Sequence, residues 1–192
     1  ERGVLDEIRA ALERFGASVD DREALERAIE QLDELFLLVV AGEFNAGKSA
    51  FINALLGTDA LPEGVTPTTA RITVVRHGDP APAQVRPDGI AEVSVPAERL
   101  RHLHVVDTPG TNAVVREHEA VTTHFVPRAD LVLFVTSADR PFTESERAFL
   151  ETIRDWGKNL VLVVNKVDIL ESEAQQREVV AFVGDGVRRL LG

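Results

Sequence analysis

Four short strings in this chain combine residue types that bind phosphate, a purine and a divalent cation. The first is GEFNAGKS, residues 42–49, placed directly after the apolar run LFLLVVA. A bend of the form G-x-x-x-x-G-K-[ST] turns successive main-chain N–H groups inward at the start of a helix, where the helix dipole adds partial positive charge. Phosphate is the guest that this suits. Lys48 then reaches the β and γ phosphates, and the Ser49 hydroxyl sits on magnesium. The string arises by accident in on the order of one in a hundred chains of this length. The second string is NKVD, residues 165–168. An ionised Asp accepts hydrogen bonds and never donates, so Asp168 can receive the imino N–H and the exocyclic amine of guanine, whereas adenine presents an acceptor at the first of those positions. The stem of Lys166 can cover the base, and Asn165 can brace the phosphate bend from a neighbouring loop. The third, DTPG at 107–110, is uninformative as bare D-x-x-G but lies between the other two. Asp107 there can hold a magnesium-bound water, and the Gly110 amide can meet the γ phosphate. The fourth, EGVTPTTA, offers Thr66, Thr68 and Thr69 as competing hydroxyls to close over magnesium and the γ phosphate.

These strings need a frame that brings loop ends together, and the apolar pattern supplies one. After residue 35 come short β-branched runs, LFLLVVA, RITVVRH, LHVVDT, DLVLFVTS and NLVLVVNK, which read as buried parallel strands. Helices are expected over 48–56, around 117–125, over 143–156 with Thr143 and Glu146 as a capping box, and over 171–191. Residues 78–98 read as an edge hairpin inserted between strands. Alternation of this kind predicts an α/β sheet whose ligand loops lie at the carboxyl ends of its strands. Ahead of it lie two amphipathic stripes, Leu5, Ile8, Leu12 and Phe15, then Leu25, Ala28, Leu32 and Leu35, and residues 1–34 are expected to form a helical hairpin.

Composition narrows the partners. With 32 acidic against 21 basic side chains, the 192-residue chain carries a formal charge of −11, a poor surface for nucleic acid or anionic lipid. Cysteine is absent, which removes disulfides, thiolate metal sites and a cysteine nucleophile. The apolar runs are strand-sized, far below the roughly 18 residues of a membrane span. No leader pattern opens the chain, and the absence of methionine suggests a processed form or an excised segment. A cytoplasmic setting is expected, with a peripheral position at the inner face of a membrane as its variant.

Taken in this order, the four strings resemble the translation-factor-like GTPases. The fuller wording of GEFNAGKSAFINALLG, LPEGVTPTTA, VVDTPGTN and HFVPRADLVLFVTSADRPFTESE is similar to the dynamin superfamily, in its bacterial dynamin-like and fuzzy-onion-like (mitofusin-related) branch, over residues 35–170. The resemblance implies a P-loop NTPase three-layer sandwich over residues 35–192, a mostly parallel sheet with helices on both faces, preceded at 1–34 by helices similar to the family's neck. It also implies one more strand and helix beyond residue 192. GTP or GDP would be held by Gly42, Glu43, Phe44, Asn45, Ala46, Gly47, Lys48, Ser49 and Ala50 with Asp107, Gly110, Asn165, Lys166 and Asp168. Ser49, Thr69 and Asp107 would hold magnesium, and Lys48, Thr68 and Thr69 would serve hydrolysis of GTP to GDP and phosphate. The family further implies membrane remodelling, fusion or fission, by parts of the protein outside this chain, with a nucleotide-dependent homodimer through the GTPase domains.

The sequence also departs from the better-known dynamins. Phe44 stands where they place a glutamine that helps orient water, Asn45 where they place a serine associated with a monovalent cation, and Thr111 offers only a hydroxyl after the D-x-x-G. The group that positions the attacking water is left unassigned. Two other readings remain open, an Era-like ribosome- or RNA-associated GTPase and a GTP-gated interaction module with little hydrolysis of its own.

Overall fold

Residues 36–42, FLLVVAG, have no polar side chain and become progressively buried along their length, which marks a strand covered on both faces. The computed structural model describes residues 35–64, 71–110 and 125–192. The chain divides into two units, Glu1–Leu35 and Phe36–Gly192. The expected helical hairpin, the helix near 117–125, and Thr66, Thr68, Thr69 and Thr111 all lie outside the described residues.

In the second unit, strand β1 (Phe36–Gly42) is central to a seven-stranded sheet with β2 (Thr73–His77), β3 (Gln84–Val85), β4 (Ala91–Val95), β5 (Leu103–Asp107), β6 (Leu131–Ser137) and β7 (Leu160–Asn165). The strand order is β3-β4-β2-β5-β1-β6-β7. β1 runs parallel to β5 and β6, and β6 runs parallel to β7. The carboxyl ends of β1, β5 and β7, each leading into one of the motif strings, therefore face the same edge of the sheet.

One strand direction differs from the sequence reading. The run RITVVRH was expected to lie parallel with the rest, but β2 pairs antiparallel with β5. The hairpin between residues 78 and 98 forms at the sheet edge, where β3 and β4 are antiparallel and β4 continues beside β2 in parallel register. A short β-branched run carries no mark of its direction, because its residue pattern reads the same whichever way the neighbouring strand points.

The alternating side chains of β1 divide between two apolar layers. Leu38 and Val40 pack with Val105, Val135, Ile52 and Leu56, so helix α1 (Lys48–Leu56) covers one face. Val39 and Ala41 pack with Val106, Phe134, Phe149, Leu150 and Ile153, so helix α2 (Glu144–Asp155) covers the other, with Val187 and Leu190 of helix α3 (Glu173–Leu191) packed beside it. These layers make the expected sandwich. The α2 capping box forms between Thr143 and Glu146. Helix α3 begins two residues later than expected, because the Ser172 hydroxyl caps it by accepting from the Gln175 N–H at 3.3 Å.

Candidate functional site

The turn after β1 bends through Asn45 at φ 60° and Gly47 at φ 90° before α1 begins at Lys48. Gly47 at the helix start has no side chain with which to cap it, and a helix N-terminus of this kind suits an anionic guest. Gly47 is required on two counts. Its φ is left-handed, and a Cβ there would stand 2.2 Å from Asn165 Nδ2.

That close approach comes from a specific bond. Asn165 Nδ2 donates to the carbonyl of Ala46 at 2.9 Å, tying the end of β7 to the loop after β1. Lys166 follows at φ 58°, and with the loop it lines a cleft of about 280 Å³. Phe44, Asn45, Lys48, Ser49, Ala50, Glu63, Gly64 and Gly110 complete the lining. A side chain as bulky as lysine rarely adopts a left-handed backbone, and here the strain coincides with the cleft. Asp168 lies exposed on the short turn Val167–Ile169, two residues beyond Lys166, and the turn's Val167 carbonyl accepts from Gln176 Nε2 of α3 at 3.3 Å.

Lys48 is nearly enclosed, at 7% exposure, and its ammonium donates to the carbonyls of Gly42 and Glu43 at 3.1 and 2.8 Å. Burial lowers its pKa to about 8 from 10.5, against the opposing pull of the Asp107, Glu43 and Glu146 carboxylates. A phosphate group would return the charge balance that burial removed. Ser49 Oγ donates to Asp107 Oδ2 at 2.8 Å, joining the first turn of α1 to the end of β5. Together they offer a hydroxyl and a carboxylate, hard oxygen donors that suit magnesium when phosphate oxygens and water complete its shell. Among the described residues, no group of three or more His, Cys, Asp or Glu side chains is placed to hold a metal.

Gly110 ends the third string hard against the phosphate loop: a Cβ on it would lie 2.3 Å from the Phe44 nitrogen and 2.4 Å from its Cα. Thr108 anchors the approach by donating to the Val40 carbonyl at 2.9 Å. Of the expected nucleotide contacts, Ala46 is the fully buried residue of the loop, and the Glu43 carboxylate turns toward α2.

The structure adds residues that the motif strings do not contain. Asn53, buried in α1, accepts from the Leu61 N–H at 3.0 Å and donates to the Leu61 carbonyl and to Glu63 Oε1 at 2.9 and 2.7 Å. It holds Glu63 and Gly64 at the cleft. A lone amide inside the apolar helix string FINALL was the available signal. Glu146, 1% exposed, does more than the capping that the sequence suggests; its carboxylate also accepts from Thr136 Oγ1 at 2.9 Å.

The family model described as "50S ribosome-binding GTPase" matches residues 37–166. The chain is 42% identical over 196 residues to the "Probable transmembrane GTPase FZO-like, chloroplastic" of Arabidopsis thaliana, a match covering 100% of this chain and 22% of that protein. It is 31% identical over 204 residues to the "Bacterial dynamin-like protein" of Nostoc punctiforme, covering 81% of this chain and 29% of that protein. A solved structure of an oligomerised bacterial dynamin pair, described as a mechanism for the long-range sensing and tethering of membranes, superposes with a TM-score of 0.72 at 20% identity, over 98% of this chain and 35% of that one. The chain thus spans well under half the length of these relatives. Among the described residues, no helix is long and apolar enough to cross a membrane. With a phosphate loop braced by the N-K-V-D asparagine and a family model spanning both, this chain belongs to the 50S ribosome-binding GTPase family, as a GTPase domain of the dynamin-like, fuzzy-onion-related kind.

Proposed function

We propose that the cleft holds GTP with magnesium in the arrangement that the motif strings suggest, and that the whole protein uses GTP hydrolysis to remodel membranes. The observation that carries the site is the 2.9 Å bond from Asn165 to the Ala46 carbonyl, which makes the guanine string and the phosphate loop neighbours. Main-chain groups of residues 42–50 would cradle the phosphates, and Lys48 would exchange two carbonyl partners for phosphate oxygens. Lys166 would cover the base and Asp168 would select it. Ser49 and Asp107 would hold magnesium, with Thr69 as the third ligand and Thr68 beside it. Bound there, magnesium would supply positive charge against the β and γ phosphates. The protein's share of the chemistry is positioning and electrostatics, since phosphoryl transfer asks for little covalent work.

The names of the relatives support the membrane reading, as does the likeness to a dynamin pair; that pair also supports dimerisation, which in this reading is a nucleotide-dependent homodimer through GTPase domains. Nucleic acid has no part in this reading. Two measurements test it. Asp168→Asn is expected to shift preference from GTP toward XTP, because an amide donates to the carbonyl that replaces guanine's amine; unchanged guanine selectivity removes Asp168 from the base. GTP turnover per molecule is expected to rise with protein concentration, and negligible rates independent of concentration would instead favour a GTP-gated interaction module.

A further inference from the structure

Glu43 is the second residue of the phosphate loop, yet its carboxylate points away from the cleft. Its Oε1 accepts from Thr143 Oγ1 at 2.5 Å and also from Ser145 Oγ, both at the start of α2. The single hydroxyl proton of Thr143 goes to Glu43, while its oxygen accepts the Glu146 N–H at 3.3 Å. Glu146 returns the bond, its Oε2 accepting from the Thr143 N–H at 3.0 Å and from Thr136 Oγ1 of β6 at 2.9 Å. The start of α2 is therefore fixed to the sheet by a buried carboxylate, and Glu43 is fixed to α2. On the other side of the same residue, the Glu43 carbonyl accepts from Lys48 Nζ at 2.8 Å.

We propose that Glu43 is a positioning residue: its side chain, anchored on Thr143 and Ser145, sets the main chain that orients Lys48 and the neighbouring N–H groups, so that phosphate binding depends on the start of α2. This rests on the reading that GTP phosphates occupy the loop. Helix capping alone accounts for the Thr143–Glu146 pair but gives no reason for a loop carboxylate to reach across to it. Simple electrostatics makes the opposite forecast, because a carboxylate beside a triphosphate site repels it, and removing that charge should tighten binding.

The sign of the change in affinity separates these accounts. Binding of a non-hydrolysable GTP analogue with magnesium is measured by calorimetry on the wild-type protein and its variants, alongside thermal melting without nucleotide. Glu43→Ala is expected to weaken binding about tenfold as its hydrogen bonds to the start of α2 are lost, and Thr143→Val by a smaller factor, since Ser145 still holds the carboxylate. Because Thr143→Val removes one of the two bonds that Glu43→Ala removes together, the double variant should bind no more weakly than Glu43→Ala alone. Glu43→Gln keeps an acceptor oxygen and Thr143→Ser keeps the hydroxyl, so both should restore binding to within about threefold of wild type. Equal or tighter binding by Glu43→Ala overturns the proposal, as does a double variant whose losses multiply. If Thr143→Val is too unstable to assay, Glu43→Ala, in a half-buried loop outside the cap itself, still decides the question. A wild-type protein that does not bind the analogue overturns the nucleotide reading as well, a result distinct from wild-type binding that Glu43→Ala leaves intact.

Discussion

At the scale of single residues, the clearest consequence concerns the Lys48 ammonium. It is held by carbonyls in an enclosed place, with Asp107 on β5, the adjoining Glu43 and Glu146 on α2 drawing its pKa up while burial pushes it down to about 8. A folded-state value below the usual 10.5 means that the native protein binds fewer protons than the unfolded chain between those two values. The cost of enclosing the charge is therefore present below about pH 8 and is relieved as pH climbs toward 10.5. Phosphate reverses the preference by favouring the charged amine. GTP affinity should be insensitive to this group at pH 7 and should fall as pH rises above 8. Calorimetry in buffers of different ionisation enthalpy should find little proton uptake on binding at pH 7 and an uptake approaching one proton near pH 9. Equal uptake at both values would remove Lys48 from the phosphate contact.

At the scale of elements, α1 links the two ends of the site. Its first turn supplies Lys48 and Ser49, and its middle supplies Asn53, whose amide satisfies both main-chain groups of Leu61 and reaches Glu63. Asn53 is 5% exposed, so truncation strands polar groups that water reaches poorly. Asn53→Ala is expected to destabilise the fold by about 2 kcal/mol, seen as a lower urea midpoint with an unchanged slope. A midpoint equal to that of wild type would show that the loop from Leu61 to Gly64 is held by other contacts. The same helix illustrates how far local sequence reaches. Its start was readable because a glycine, a lysine and a serine lie side by side; its role in fastening the loop was not, because Asn53 and Leu61 meet only after the chain has turned back.

At the scale of the whole molecule, charge argues about where membrane contact can arise. A net charge of −11 opposes approach to anionic lipid, where each basic group near the surface contributes only about 1 kcal/mol. This chain by itself is expected not to float with phosphatidylserine-containing vesicles at physiological salt, with or without GTP. Flotation of the chain alone would assign lipid contact to this domain. The relatives reach well beyond the region it matches, which fits the proposal that the lipid-binding parts lie outside it.

Local order was written into the linear chain. The phosphate loop, the capping box at Thr143 and the strand-sized apolar runs each depend on neighbours within a few positions, where backbone geometry and side-chain chemistry act directly. Tertiary structure decided the rest. The antiparallel course of β2 left no trace in its own run, whose pattern reads the same in either direction, and the turn of Glu43 toward α2 joins residues 100 positions apart. Gly47 shows both levels in one residue. Its place in the string announced a tight bend, but only the folded chain brings Asn165 into the space that a Cβ would have taken.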